Sequence, residues 1–127
     1  MNTASVTEKS RYTKAEVTWP VVILTAHGAL VAETKNISAN GAFLLCRAPL
    51  HPKEKLKLFI MAPNRNSLHV SAEVSWSNPP GTEGDTLPCG VGIRFTRISA
   101  ADRRFLRNII AEHYARKTGR VAKTTQR

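Results

Sequence analysis

Period-two alternation dominates the middle of the chain. Across residues 68–76, Leu68, Val70, Ala72, Val74 and Trp76 alternate with His69, Ser71, Glu73 and Ser75. That is the pattern of a strand with one buried and one wet face. Residues 55–60 repeat it, with Leu56, Leu58 and Ile60 inward and Lys55 and Lys57 outward. Residues 90–96 do so again through Val91, Ile93 and Phe95. Earlier, residues 17–25 are β-branched and aromatic, and His27-Gly28 predicts a hairpin turn into a second strand over 30–35. Residues 42–46 make a further short strand. Proline, glycine and asparagine mark breaks at 49–52, 63–66 and 78–88, the last being the longest loop.

After six strands the period changes. Ser99, with Asp102 three residues on, has the spacing of a helix N-cap with an acidic third position. Leu106, Ile109, Ile110 and His113 then share one face of a helix predicted over 100–116, with Arg103, Arg104 and Arg107 mostly off that face. The apolar stripe must be buried, so the helix is expected to pack across an open side or end of the strands. Antiparallel strands without a βαβ unit exclude Rossmann and TIM scaffolds. A small barrel removes the strand edges. The fold class expected is therefore all-β dominated, a six-stranded antiparallel barrel with one C-terminal α-helix.

The 127 residues suit one domain, and a 42 % hydrophobic content supports one core. The expected division is a flexible N-terminus over 1–8, the barrel and helix over 9–116, and a basic, disordered tail over 117–127. Half of the net charge of +10 sits near that tail, where Arg116, Lys117, Arg120, Lys123 and Arg127 occur without an acidic residue. Such a run attracts acidic lipid, acidic protein or nucleic acid, or is simply solvated. No run of eighteen apolar residues occurs, and the polar start lacks a signal-peptide centre, so a cytoplasmic domain is expected. Cys46 and Cys89 lie by or in apolar runs without CxxC spacing and are expected as buried, reduced thiols. His27, His51, His69 and His113 lack metal-ligand spacing, so no metal and no cofactor are expected. No carboxylate pair or nucleophile motif points to an enzyme. Trp19, Phe59, Trp76 and Phe95 fall in strand patterns that predict core, which argues against a single-strand nucleic-acid platform.

The functional signal is Asn36-Ile37-Ser38-Ala39-Asn40-Gly41, expected as the loop between the second and third strands. Asn40-Gly41 suits a tight turn that needs no ligand. Asn36 and Ser38, two residues apart, would also project from one side, and Gly41 would keep the turn open for close approach to a planar polar ring. Asn36-x-Ser38-x-x-Gly41 resembles the (D/N)xSxxG motif of the PilZ domain family. Gly90-Val-Gly-Ile-Arg-Phe95, followed by Ser99 and a terminal helix, resembles that family's last strand and helix. The resemblance covers residues 9–115 and implies a non-enzymatic receptor or adapter for cyclic di-GMP in bacterial second-messenger signalling, such as control of motility or biofilm formation.

It also implies a preceding RxxxR motif whose arginines clamp the ligand, because a guanidinium fork fits phosphate or the guanine edge bidentately and stacks on a base. Here Ser10 and Lys14 stand where those arginines belong, with Arg11 the neighbouring cation. Losing one bidentate contact costs about 1–3 kcal/mol. The ligand-binding set implied is Ser10, Arg11, Lys14, Asn36, Ser38, Gly41 and Arg94. Ligand would order the N-terminal loop and signal to a protein effector, the domain being a monomer or weak dimer. The alternative is a degenerate PilZ domain that binds no nucleotide and acts only through protein contacts.

Overall fold

The computed structural model describes residues 14–64, 67–78 and 89–118. Expectations for the N-terminus over 1–8, for Ser10 and Arg11, for the 79–88 loop and for the tail past 118 lie outside the described residues. The strands are β1 (Lys14–Ala15), β2 (Pro20–Thr25), β3 (Gly28–Ser38), β4 (Gly41–Cys46), β5 (Lys55–Ile60), β6 (Leu68–Asn78) and β7 (Cys89–Arg97). The helix α1 (Ala100–Thr118) follows. Order around the sheet is β3-β2-β5-β6-β7-β4, and β4 pairs back with β3, closing a six-stranded antiparallel barrel. The two-residue β1 adds to β3 beyond the point where β2 leaves, with Lys14 opposite Ser38 and Ala15 opposite Ile37.

Alternation fills the barrel as its pattern predicts. Val21, Ile23, Leu56, Leu58, Ile60, Leu68, Val70, Val74, Val91 and Ile93 are buried, with Trp19 and Phe95. Burying each large side chain stabilises the fold by roughly 1.5–3 kcal/mol. Cys46 and Cys89 are buried free thiols and directly opposite each other across β4 and β7. Between β2 and β3 the turn is Ala26-His27. Thr25 pairs with Gly28, whose φ of +142° favours glycine.

The first full strand begins at Pro20 rather than at Val17. Residues 17–19 are held instead by Thr34, a buried polar side chain. Its hydroxyl accepts the Trp19 N–H at 2.8 Å and donates to the Val17 carbonyl, while its own N–H donates to the Trp19 carbonyl at 2.9 Å.

The helix starts at its predicted cap. The Asp102 N–H donates to Ser99 Oγ at 3.0 Å, and the Arg103 N–H donates to the Ser99 carbonyl at 3.0 Å. Leu106 and Ile110 are buried, Phe105 and Ile109 pack against the core at their edge, and the helix lies against β1 and β3.

Two aromatic expectations are corrected. Trp76 is 47 % exposed, not core, because a bulge at Ser75 breaks the alternation: Val74 faces Ile93, but Trp76 faces Gly92. Phe59 occupies an outward position of β5, partly covered by His69, whose ring meets it edge-on at 4.7 Å.

Candidate functional site

The segment 36–41 is mostly strand. β3 continues through Ser38 and β4 starts at Gly41, so only Ala39 and Asn40 form the turn. Asn36 and Ser38 are thus fixed on a strand edge rather than free in a loop. A bulge at Lys35 aims them: Thr34 lies opposite Leu44 but Asn36 lies opposite Phe43. Unbroken alternation would put Thr34 and Asn36 on the same face. Instead Thr34 and Ile37 are buried, while Asn36 and Ser38 face out.

The Ser75 bulge on β6 does the same for Trp76. Between them the two bulges open an outward groove of about 370 Å³, lined by Lys14, Asn36, Ser38, Asn40, Phe43, Trp76 and Arg94. Bulges recur beside binding sites because they re-aim side chains without breaking the sheet. The indole of Trp76 lies across Gly92. A Cβ there would sit 2.2 Å from its Nε1. Phe43 supports the ring, with centroids 5.3 Å apart and planes at 44°. The rest of the indole is open to the groove.

Ser38 does a different task from the one its position suggests. Its hydroxyl accepts the N–H groups of Asn40 and Gly41, both at 3.1 Å, and donates to the Gly41 carbonyl at 3.2 Å. Its single proton is therefore used within the turn, and the residue shapes the site. Gly41 also differs from expectation. It opens β4, and a Cβ there would lie 2.3 Å from the Ile93 carbonyl oxygen. Glycine is required by the close passage of β7. The turn is tied to the same strand where the Phe95 N–H donates to the Asn40 carbonyl at 2.8 Å.

Two cations flank the groove. Lys14 is exposed on β1 opposite Ser38. Arg94 stands on the outward face of β7 and pairs with Glu73, its cross-strand neighbour. Ser10 and Arg11 lie outside the described residues. Lys14, Asn36, Ser38, Gly41 and Arg94 are thus brought together as the sequence implied. Trp76, Phe43 and Asn40 were not foreseen there. Bulges have no reliable sequence signature, although a glycine in a buried strand, such as Gly92, does signal close approach of another group. Among the described residues no three His, Cys, Asp or Glu side chains cluster to hold a metal, and no helix is long and apolar enough to cross a membrane.

The sequence model of the PilZ domain matches residues 8–112. No functionally curated protein matches the chain significantly. Among solved structures, the Bacillus subtilis inhibitor of motility MotI/DgrA is similar at TM-score 0.70 and 17 % identity, over 83 % of this chain and 51 % of that one. The PilZ domain of Escherichia coli YcgR, solved with c-di-GMP, is similar at TM-score 0.65 and 14 % identity, over 87 % and 95 % respectively. MrkH of K. pneumoniae in its apo state gives TM-score 0.69 and 15 % identity, over 82 % and 50 %. The chain thus spans about half the length of MotI and of MrkH. At these identities the structural likeness speaks for the fold, and the family match rests on the sequence: over residues 8–112, this chain belongs to the PilZ domain family.

Proposed function

We propose that this domain is a non-enzymatic receptor that binds cyclic di-GMP in the groove between Asn36 and Trp76 and signals to a protein partner. The observation that supports it most is the convergence of two independent bulges on one groove, which aim a planar amide and an open indole at the same space. Asn36 offers the donor and acceptor that a purine edge needs. Trp76 offers a stacking face, and base–aromatic stacking is worth about 1–3 kcal/mol. Lys14 and Arg94 hold phosphate, with Arg11 and Ser10 completing the clamp as the N-terminal segment orders over the groove. Ser38 and Gly41 act indirectly, by fixing the turn.

A second reading keeps one specific support: Ser10 and Lys14 replace the arginine pair, which favours an adapter without nucleotide. Calorimetric titration with cyclic di-GMP distinguishes the two. The receptor reading expects micromolar or tighter binding, weakened about tenfold or more by Trp76→Ala and by Asn36→Ala. Absence of heat at millimolar ligand, with the variants still folded, would turn the assignment to the adapter.

A further inference from the structure

A second surface lies outside the nucleotide groove, on the outward face of β2, β3, β5 and β6. Cross-strand register sets Val31, Val22 and Phe59 in one row, since Val22 is opposite both of the others. Val31 is 76 % exposed, Met61 41 % and Leu24 37 %. The next row along the strands runs Leu24, Lys57, Ser71 and Arg97, each opposite the next. The row after that holds Lys55, Glu73 and Arg94. Two grooves, of about 550 and 300 Å³, meet at Lys57 and Ser71 on the β5–β6 side of this face, and Val31 borders a third, of about 580 Å³, beside Glu33.

Its charge is unbalanced. Glu73, matched to Arg94, is the only carboxylate lining either of the first two grooves. Exposed Glu33, beside Val31, is the other carboxylate on the outward face of these strands, against Lys55, Lys57 and Arg97. Lys55, Lys57 and Arg97 have no ion-pair partner among the described residues. A partly exposed apolar row bordered by cations without an ion-pair partner among the described residues fits a ligand with apolar anchors beside carboxylates. The chain's own C-terminal run is basic and would be repelled. So would a second copy, since each copy carries +10. Single-stranded nucleic acid would need a stacking platform. The larger groove has no aromatic ring, and in the smaller one the Phe59 and His69 rings are packed against each other at 80° rather than both laid open.

We propose that this face docks an acidic, amphipathic segment of a partner protein, with Val31, Val22 and Phe59 taking its apolar side chains and Lys55, Lys57 and Arg97 its carboxylates. The inference rests on the partner-signalling part of the proposed function. It does not require nucleotide binding, because neither the apolar row nor these three cations line the nucleotide groove. Failure of one reading is therefore measured separately from failure of the other.

The test uses the full chain and two fluorescein-labelled probes: a short peptide alternating leucine with glutamate, and an oligothymidylate of equal charge. Fluorescence anisotropy is expected to show the peptide binding in preference to the oligonucleotide. K55E/K57E should weaken it about tenfold or more, and V31D should also weaken it. R104E/R107E, the same charge change on exposed positions of α1, should leave it within about twofold. Thermal melts of each variant, all at exposed positions, establish folding. No peptide binding by the wild type, tighter binding of oligothymidylate, or equal weakening by K55E/K57E and R104E/R107E would each overturn the proposal.

Discussion

Thr34 does more than its size suggests. One hydroxyl satisfies the Trp19 N–H and the Val17 carbonyl, and the three residues before β2 depend on it for their place. Thr34→Val keeps the shape and strands both backbone groups, each costing about 1–3 kcal/mol if it stays buried. Urea unfolding should show a fall in midpoint of that order without a change in slope, and an unchanged midpoint would show that water replaces the hydroxyl. Gly92 is the matching case at the site, because a methyl group there collides with the Trp76 indole. Gly92→Ala should displace the ring and lower nucleotide affinity about tenfold or more. It should also alter the emission of Trp76 while leaving that of buried Trp19. Retained affinity would mean that the indole is no platform. Cys46 carries a pH signature. Burial, and then the neighbouring Cys89 thiol, push its thiol above the ordinary value. The unfolded chain releases that proton near the usual thiol range, about pH 8.5, whereas the folded chain retains it. Stability should therefore be unaffected below that range and fall as pH rises above it. Cys46→Ala should flatten the alkaline fall measured by denaturant titration at stepped pH. An identical slope in both proteins would assign the loss to other groups. At this scale the sequence was legible where a residue's type dictates its place: the buried thiols, the Ser99 cap, the wet-face Arg94. For Ser38 and Gly41 only the turn was legible, because their local contacts depend on which backbone atoms pass close by.

Strand alternation is a strong signal because the pleat has a period of two, and it placed the six barrel strands and most of the core. It fails wherever one residue is inserted, since every later side chain then changes face. Lys35 and Ser75 are such insertions: Ser75 lines the groove proposed for nucleotide, and Lys35 immediately precedes Asn36, which does. The proposed binding face is thus where the pattern is least readable, because its groove is built by breaking it. Deleting Ser75 removes the extra residue but leaves Trp76 outward, because the indole then directly follows inward-facing Val74 and stays opposite Gly92. The stacking face is kept, so a folded deletion variant should retain nucleotide affinity within about tenfold in the calorimetric titration. Ser75→Ala, at an exposed position, should stay within about 0.5 kcal/mol of wild type and retain binding. Loss of binding in a folded deletion variant would show that the local kink at Ser75, and not the outward indole alone, shapes the groove. The helix was easier to read, because its cap and stripe are local. Phe105 was nevertheless missed, since a face read from spacing alone omits the residue that fills its margin.

For the molecule as a whole, the charge of +10 acts on stability and on recognition with opposite signs. Folding gathers the cations of β5, β7 and α1 onto a small barrel, and this self-repulsion favours the expanded chain. Added salt screens it, with a Debye length of about 10 Å at 0.1 M. The melting temperature of the unliganded protein should therefore rise with sodium chloride and level off once the screening length falls below the spacing of the surface cations. On the two proposed readings, the same ions compete with Lys14 and Arg94 for phosphate, and with Lys55, Lys57 and Arg97 for carboxylate. The extra stabilisation conferred by saturating cyclic di-GMP, and the anisotropy change of the acidic peptide, should both shrink over that range. Thermal melts with and without nucleotide, at stepped salt, measure the two trends in one experiment. A rise in the unliganded melting temperature with a shrinking ligand increment is the expected pair. Were the unliganded protein instead to lose stability with salt, attractive pairs such as Arg94–Glu73 would outweigh the repulsion. The excess charge would then have to be balanced within the chain, leaving less unpaired charge for a partner.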